Sequence, residues 1–247
     1  KRLKVPSGEI TNAPFLLEHA QTGCDLIVST GMATLAEVEA ALAVLAFGYT
    51  ADKGDTVSLA AFEAAYLSLA GQSALKDKVT LLHCTTEYPA PLDDINLNAM
   101  NTMSDAFQLR VGYSDHSEGV VVPIVAVAKG AVLIEKHFTL DKKMEGWDHK
   151  VSANPEDMKE LVNDAHRIHL ALGSHRIQQI EDQEQVLEFR RSIISAKEIE
   201  KGEVITEDML VFKRPGTGLQ PGDSMYIIGK KAKRKIGCDE IIGFDDF

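Results

Sequence analysis

The chain has 247 residues, 45% of them hydrophobic and 26% charged, with a formal net charge of -11, enough for one large domain or for a barrel-sized domain and a small one. No apolar run is long enough to span a bilayer, and an acidic balance without a dominant basic face excludes nucleic acid as the expected partner while leaving room for a small anionic substrate. Cys24, Cys84 and Cys238 are odd in number and far apart, which fits neither a disulfide framework nor a zinc site; with no signal-peptide pattern at the N-terminus, the expected location is a reducing cytoplasm.

In chain order, five short apolar runs end in polar clusters: RLKVPSGE, CDLIVSTGMA, VTLLHCTTEYP, FQLRVGYSDHSEG and AVLIEKHFTLD. Helices are predicted between and after them, over residues 12–21, 34–47, 93–107, 119–129 and 155–172. The last has Asn154 as its cap ahead of Pro155. Between Gly48 and Lys78, DTVSLAAFEAAYLSLAGQSAL predicts one inserted helix. Alternation of this kind builds a parallel sheet. The polar stretch LGSHRIQQIEDQEQVLEFRRS then interrupts the pattern, and RSIISAKEIEKGEVITEDMLVFKRPGTGLQP and IIGKKAKRKIGCDEII read as a small, mostly β module. The expected layout is an α/β domain over 1–172, a linker over 173–188 and a β module over 189–247. A (βα)8 TIM-type barrel has eight strands in about 250 residues. Five runs therefore predict either an open α/β sheet or strands four to eight of a barrel whose first three βα units are absent.

In parallel α/β folds the loops beyond the strand C-termini converge on one face. The polar residues there are Lys4, Ser7 and Glu9; Ser29 and Thr30; Thr85, Thr86 and Tyr88; Ser114 and His116; Glu135, Lys136 and His137. Two histidines at neighbouring strand ends suit a divalent metal, because imidazole nitrogen ligates transition metals and two protein ligands leave room for substrate and water. The cations and hydroxyls suit an oxygen-rich anion. Each residue also has a structural reading. A lone strand-end histidine is more often a satisfied core group, Lys4 a solvated chain start, and Ser29 and Ser114 helix caps. Glu9 reads equally as a charge at a helix N-terminus, and Tyr88 as a packed turn aromatic. His19, His166, His169 and His175 fall on helical or linker stretches and read as solvated, and KKAKRK as an exposed β-face.

The stretches KVPSGEITN, STGMAT, LLHCTTEYPAP, GYSDHSEG, IEKHFTLDKKMEGWDHKVS and KRPGTG, in this order, resemble the N-acetylneuraminate (sialic acid) synthase family, which includes legionaminate and pseudaminate synthases. The resemblance runs over essentially the whole chain. It implies a (βα)8 barrel followed, over 189–247, by an antifreeze-like (SAF) module that caps the partner's active site in a homodimer. It implies condensation of phosphoenolpyruvate and water with an open-chain N-acylated amino sugar, N-acetylmannosamine in the sialic acid case, releasing phosphate and a nine-carbon 2-keto acid. A divalent metal, manganese as a rule with magnesium or cobalt as alternatives, would be held by His116 and His137 and polarise the sugar aldehyde. Lys4, Ser7, Ser29, Thr86 and Ser114 match positions that contact phosphoenolpyruvate. Tyr88 and Asp148 match the sugar site, Phe189 a sugar-side contact, and Arg214 the cap residue that reaches the N-acyl end from the other subunit. Glu9 matches an active-site carboxylate, suited to balance positive character at the oxocarbenium-like centre or to accept a proton from the added water.

The chain departs from the family pattern at Thr86, where some members have asparagine, at Trp147, which replaces a more usual proline beside Asp148, and around EQVLEFRRS. Competing expectations are a sister synthase using a diacetamido hexose, a non-catalytic module for dimerisation or carbohydrate binding, and a Schiff-base aldolase with Lys136 as nucleophile.

Overall fold

The computed structural model describes residues 1–52, 54–146, 148–174 and 181–247. It divides into two compact units, Lys1–Gly173 and Ser174–Phe247. The first holds five parallel strands, β1 (Arg2–Val5), β2 (Asp25–Ser29), β3 (Val79–Cys84), β4 (Arg110–Asp115) and β5 (Ile134–Lys136), which pair in sequence order. These are the five apolar runs of the sequence.

Period-two alternation sorts their side chains onto two faces. Val5, Leu26, Val28, Val79, Leu81, Val111 and Tyr113 join the buried core beneath the helices. The alternate positions, Lys4, Ser29, Cys84, Ser114 and Glu135, line the opposite face. The sheet is curled toward that second face. Four strand spacings of about 4.8 Å would hold the edges of a flat sheet about 19 Å apart, further than a lysine and a glutamate side chain reach together. Yet Lys4 Nζ on β1 lies 3.2 Å from Glu135 Oε1 on β5. Gly112 permits the close approach of β4 to its neighbours, since a methyl group there would overlap Leu133 O and lie 2.7 Å from Leu82 Cδ2.

The helices depart from the sequence reading at three places. α1 (Ala13–Gln21) has Asn12 as its cap as expected, but α2 (Leu35–Thr50) runs through Gly48 instead of stopping at residue 47. The glycine stays helical because it is the contact point between the two helices: a methyl group there would lie 2.6 Å from Ala20 Cβ. The inserted helix is two, α3 (Leu59–Leu67) and α4 (Leu69–Lys78), hinged at Ser68. Its hydroxyl donates to Ala65 O at 2.8 Å and accepts Gly71 N–H at 2.9 Å, closing one helix and capping the next. The helix expected over 93–107 is broken into α5 (Leu92–Ile95) and α6 (Ala99–Phe107) by Asn96, whose φ of 49° is left-handed, a conformation asparagine tolerates better than most residues. α7 (Val121–Ala128) and α8 (Pro155–Leu172) complete the unit, the latter with Asn154 as the expected cap, which also closes a capping box with Asp157.

The second unit opens with α9 (Gln183–Phe189), so part of the stretch expected as linker is helical, with Asp182 capping it. β6 (Ser192–Ser195) pairs antiparallel with β7 (Leu210–Lys213), and α10 (Ser224–Ile227) follows. Ile193, Ile199, Ile205, Ile227, Ile236 and Ile242 form a separate core. Within KKAKRK, Lys230, Lys231 and Lys233 are exposed, and Lys231 makes an isolated bridge to Val204. Arg234 is paired with Glu240 and Asp246, and Lys235 with Glu198 and Glu200. No helix among the described residues is long and apolar enough to cross a membrane.

Candidate active site

The C-terminal ends of the five strands surround a cleft of about 400 Å³ lined by Lys4, Ser7, Ser29, Thr86, Tyr88, Ser114, His116 and His137, all singled out in the sequence, and by Cys84, Glu135 and Met32. A larger apolar groove of about 510 Å³ lies among α1, α2 and α3, but its ionisable lining groups are carboxylates alone, with neither cation nor imidazole to receive an anion.

At the centre of the cleft Glu135 Oε1 accepts the Ser114 hydroxyl at 2.7 Å and meets the Lys4 ammonium. Ser7, in the one-turn 3-10 helix Ser7–Glu9, accepts Gly31 N–H at 3.2 Å. Gly31 is a space requirement: a methyl group there would clash with Thr86 Oγ1 and lie 2.7 Å from Ser7 Oγ. Thr86 Oγ1 is itself buried and has no hydrogen-bond partner among the described residues. Leaving a buried hydroxyl unsatisfied costs about 1–3 kcal/mol, so this atom is available to an oxygen-rich ligand.

The histidines follow directly from the strands. β4 delivers His116 and β5 delivers His137, with ring centres 5.2 Å apart and inclined at 69°. Tyr88 packs on both, at 4.1 Å from His116 and 5.3 Å from His137. His116 Nδ1 lies 2.7 Å from Thr85 O. A carbonyl only accepts, so Nδ1 carries the hydrogen and Nε2 presents a lone pair, the arrangement that orients metal-ligating imidazoles. Cys84 Sγ is a second, longer neighbour of the same nitrogen at 3.7 Å.

Burial lowers the His116 pKa, but Cys84, Thr85 and the charge of Asp115 together carry it above the ordinary histidine value. Burial and then the neighbouring His116 hold His137 below it, with Asp148 acting the other way. Burial pushes the Cys84 thiol up, and His116, Ser7 and Ser114 more than offset it, drawing the thiol below its usual value. Tyr88 is raised, by burial first and then by nearby negative charge, so its hydroxyl keeps its proton at neutral pH.

Among the described residues no group of three or more His, Cys, Asp and Glu is arranged to hold a metal ion. The recorded contacts of both rings are at Nδ1, and two imidazoles with no hydrogen bond at Nε2 among the described residues fit an ion that takes its remaining ligands from substrate and water.

Several expected residues stand outside this cluster. Glu9 does not line the cleft; its Oε2 accepts Asn12 Nδ2–H at 2.7 Å. Asp148 is mostly exposed and approaches the site at His137 Nδ1, at 3.8 Å, close enough for its charge to act on Tyr88 as well. Lys136 faces the other side of β5, where it is ion-paired with Asp115 at 2.6 Å and fully enclosed, so the Schiff-base reading loses its nucleophile. Phe189 and Arg214 lie in the second unit, where the guanidinium stacks 5.0 Å above the Phe189 ring and its Nε donates to Phe189 O. Of the other histidines, His166 and His169 are exposed as expected, whereas His19 is half-buried against Phe15. Trp147 and His175 lie outside the described residues.

Comparison with known proteins decides the family. The sequence model of the NeuB family matches residues 1–177, and that of the SAF domain residues 190–247. The chain belongs to the NeuB family. Within it, N,N'-diacetyllegionaminic acid synthase of Campylobacter jejuni is 41% identical over 98% of this chain and 66% of its own length. The enzyme of the same description from Legionella pneumophila is 42% identical over 96% of this chain and 61% of its own. The chain thus spans at most about two thirds of the length of these curated relatives. The crystal structure of N-acetylneuraminic acid (sialic acid) synthetase from Leptospira borgpetersenii in complex with citrate superposes with a TM-score of 0.59 at 33% identity, covering 75% of this chain and 56% of that one.

Two cleft residues, Glu135 and Cys84, and Gly31 beside the cleft carry no role in the sequence reading. Glu135 stood at a strand end, but only the curl of the sheet reveals that it meets Lys4. Cys84 has the strand-end position too, but cysteine spacing carries no signal for a single thiol beside an imidazole. Gly31 carries no side-chain signal, and only its neighbours show why no larger residue fits.

Proposed function

We propose that the cleft carries out a phosphoenolpyruvate-dependent condensation with an open-chain N-acylated amino sugar, giving phosphate and a nine-carbon 2-keto acid. The observation that carries the proposal is the convergence, at five strand ends, of one ammonium, four aliphatic hydroxyls, the Tyr88 phenol and two imidazoles.

Lys4 supplies a compact positive charge for phosphoenolpyruvate, Ser7, Ser29 and Thr86 supply directed donors to its phosphate and carboxylate, and Ser114 joins them when its hydroxyl turns from Glu135. The unpartnered Thr86 Oγ1 supports this use most directly. His116 and His137 are the proposed ligands of a divalent ion, Mn2+ first and Mg2+ or Co2+ as alternatives. When bound, such an ion supplies Lewis-acid polarisation of the sugar carbonyl. The chain's own acid–base work falls to the carboxylates. Glu135, held between Lys4 and Ser114, is placed inside the cleft to balance developing positive charge and accept a proton from water; Glu9, one turn beyond Ser7, is the second candidate. Tyr88, protonated, and Asp148 are the proposed sugar contacts. The stacked Phe189–Arg214 pair of the SAF domain is proposed to serve the N-acyl end of a sugar bound to a partner subunit in a homodimer, which acts without nucleic acid or membrane.

Identities of 41% and 42% to N,N'-diacetyllegionaminic acid synthases favour a diacetamido hexose as the sugar. N-acetylmannosamine, giving N-acetylneuraminate, is the second reading, supported by the 33% identical sialic acid synthetase. The test is phosphate release from phosphoenolpyruvate in Mn2+-supplemented protein, with each sugar offered in turn. Release that depends on the diacetamido sugar and vanishes in His116→Ala and His137→Ala supports the first reading, and release with N-acetylmannosamine alone the second. Folded, Mn2+-binding protein that releases phosphate with neither sugar overturns the synthase proposal in favour of a binding module.

A further inference from the structure

Each proposed metal-ligating histidine is preceded in the chain by a charged residue, and the two precursors find each other on the far side of the sheet. Lys136 Nζ lies 2.6 Å from Asp115 Oδ2, with side-chain exposures of 1% and 0%. Asp115 Oδ1 accepts the backbone N–H of Ser117 at 3.0 Å and its hydroxyl at 2.7 Å, and Lys136 donates a second bond to Ser117 O at 2.8 Å. The residues on both sides of His116, and the one before His137, are thereby tied into one closed polar cluster. On its outer side Lys136 lines a cleft of about 350 Å³ together with Val127, Met158, Leu161 and Val162.

Stability alone does not account for such a cluster. Replacing a buried ion pair by apolar residues of similar volume is commonly neutral or stabilising, whereas removing one partner strands a charge. What the pair supplies is a single register. β5 is only three residues long and forms one edge of the sheet, paired to β4 as Tyr113↔Ile134, Ser114↔Glu135 and Asp115↔Lys136. Backbone bonds from Val132 N–H to Val111 O at 3.0 Å and from Tyr113 N–H to Leu133 O at 2.9 Å extend this pairing on one side, and because side chains alternate, a slip of one residue turns every one of them to the other face. Such a slip would carry His137 out of the cleft and leave Asp115 without its partner.

We infer that Asp115, Lys136 and Ser117 form a register clamp that sets His116 and His137 side by side. They are positioning residues, acting on the cleft only through the two rings they place. The inference rests on the proposal that those rings form one site.

The test is the double variant Asp115→Val/Lys136→Met, which removes both charges at once. Two readouts separate the clamp from the metal proposal: the nuclear Overhauser effect between His116 and His137 ring protons in metal-free protein, and Co2+ affinity with its visible spectrum. The expected variant is folded, melts at or above the native temperature, loses the ring-to-ring effect and binds Co2+ at least about tenfold more weakly, the scale seen when groups that orient metal ligands are removed. A folded variant with the native ring contact and native Co2+ affinity overturns the clamp. Should the double variant fail to fold, Ser117→Ala decides, since it deletes one small hydroxyl. A weakened ring contact with several-fold weaker Co2+ binding supports the clamp, and native values overturn it. Native protein that shows the ring contact but binds no Co2+ defeats the metal proposal, and the clamp is then judged on the ring contact in the variants.

Discussion

A ring nitrogen ligates a metal only without its proton, so the surroundings of His116 set how the cleft responds to acid. Its pKa stands above the ordinary 6.5 because Cys84 and Thr85 outweigh burial. His137 stands below it. As the pH falls, His116 therefore takes up its proton first, and Mn2+ affinity is expected to start dropping while the pH is still above 6.5. Cys84→Ala removes one of the groups that raise His116, so the onset should move to lower pH; an unchanged onset in a Mn2+ titration would rule out the thiol as a cause. The metal-free fold has the opposite sign at His116. Its contribution to stability is full below 6.5 and is lost as the pH rises through the folded pKa, while His137 loses stability as the pH falls through 6.5 toward its own. Gly31 gives a second residue-level outcome. Gly31→Ala should raise KM for phosphoenolpyruvate by about tenfold or more, because Ser7 and Thr86 must part to admit the methyl group. The histidines and hydroxyls were legible in the sequence because strand-end position alone brings them together. Glu135, Cys84 and Gly31 were not, because their importance lies in contacts across the curl of the sheet.

At the scale of elements, apolar runs and polar punctuation mark all five strands, and Asn12, Thr34 and Asn154 announce their helices by side-chain caps. The failures share a cause, in that tertiary contact overrides a local signal. Glycine within a helix ordinarily marks an end or a weak point, and Gly48→Ala in an isolated helix would stabilise it by about 1 kcal/mol. Here the added methyl group would lie 2.6 Å from Ala20 Cβ in the contact between α1 and α2. Overpacking of that kind costs about 1–3 kcal/mol, more than the propensity gain. Gly48→Ala is therefore expected to lower the urea midpoint; a rise would mean that α1 and α2 yield easily. The break at Asn96 belongs to the same class, since only the packing of α5 and α6 selects the left-handed conformation that asparagine permits.

At the scale of the molecule, the curled sheet and the SAF domain each bury their own apolar residues, with Ile193, Ile205 and Ile242 fully enclosed in the second unit. Separate cores give each unit the means to melt cooperatively by itself. Ile205→Ala should destabilise the second unit by about 2–5 kcal/mol, the range for large-to-small changes in a packed core, and leave the first unit's transition where it was. Metal makes the complementary perturbation. Both proposed ligands lie in the first unit, so Mn2+ at about a hundred times its dissociation constant should stabilise that unit by about 2.7 kcal/mol and leave the second unmoved. Scanning calorimetry of the native protein and of Ile205→Ala, each with and without Mn2+, separates the two effects. Two transitions, one moved by the substitution and the other by the ion, would establish that the metal responds to the sheet alone. A single transition moved by both would show that the SAF domain unfolds together with the sheet, and acid release of the metal would then loosen the SAF domain as well as the cleft.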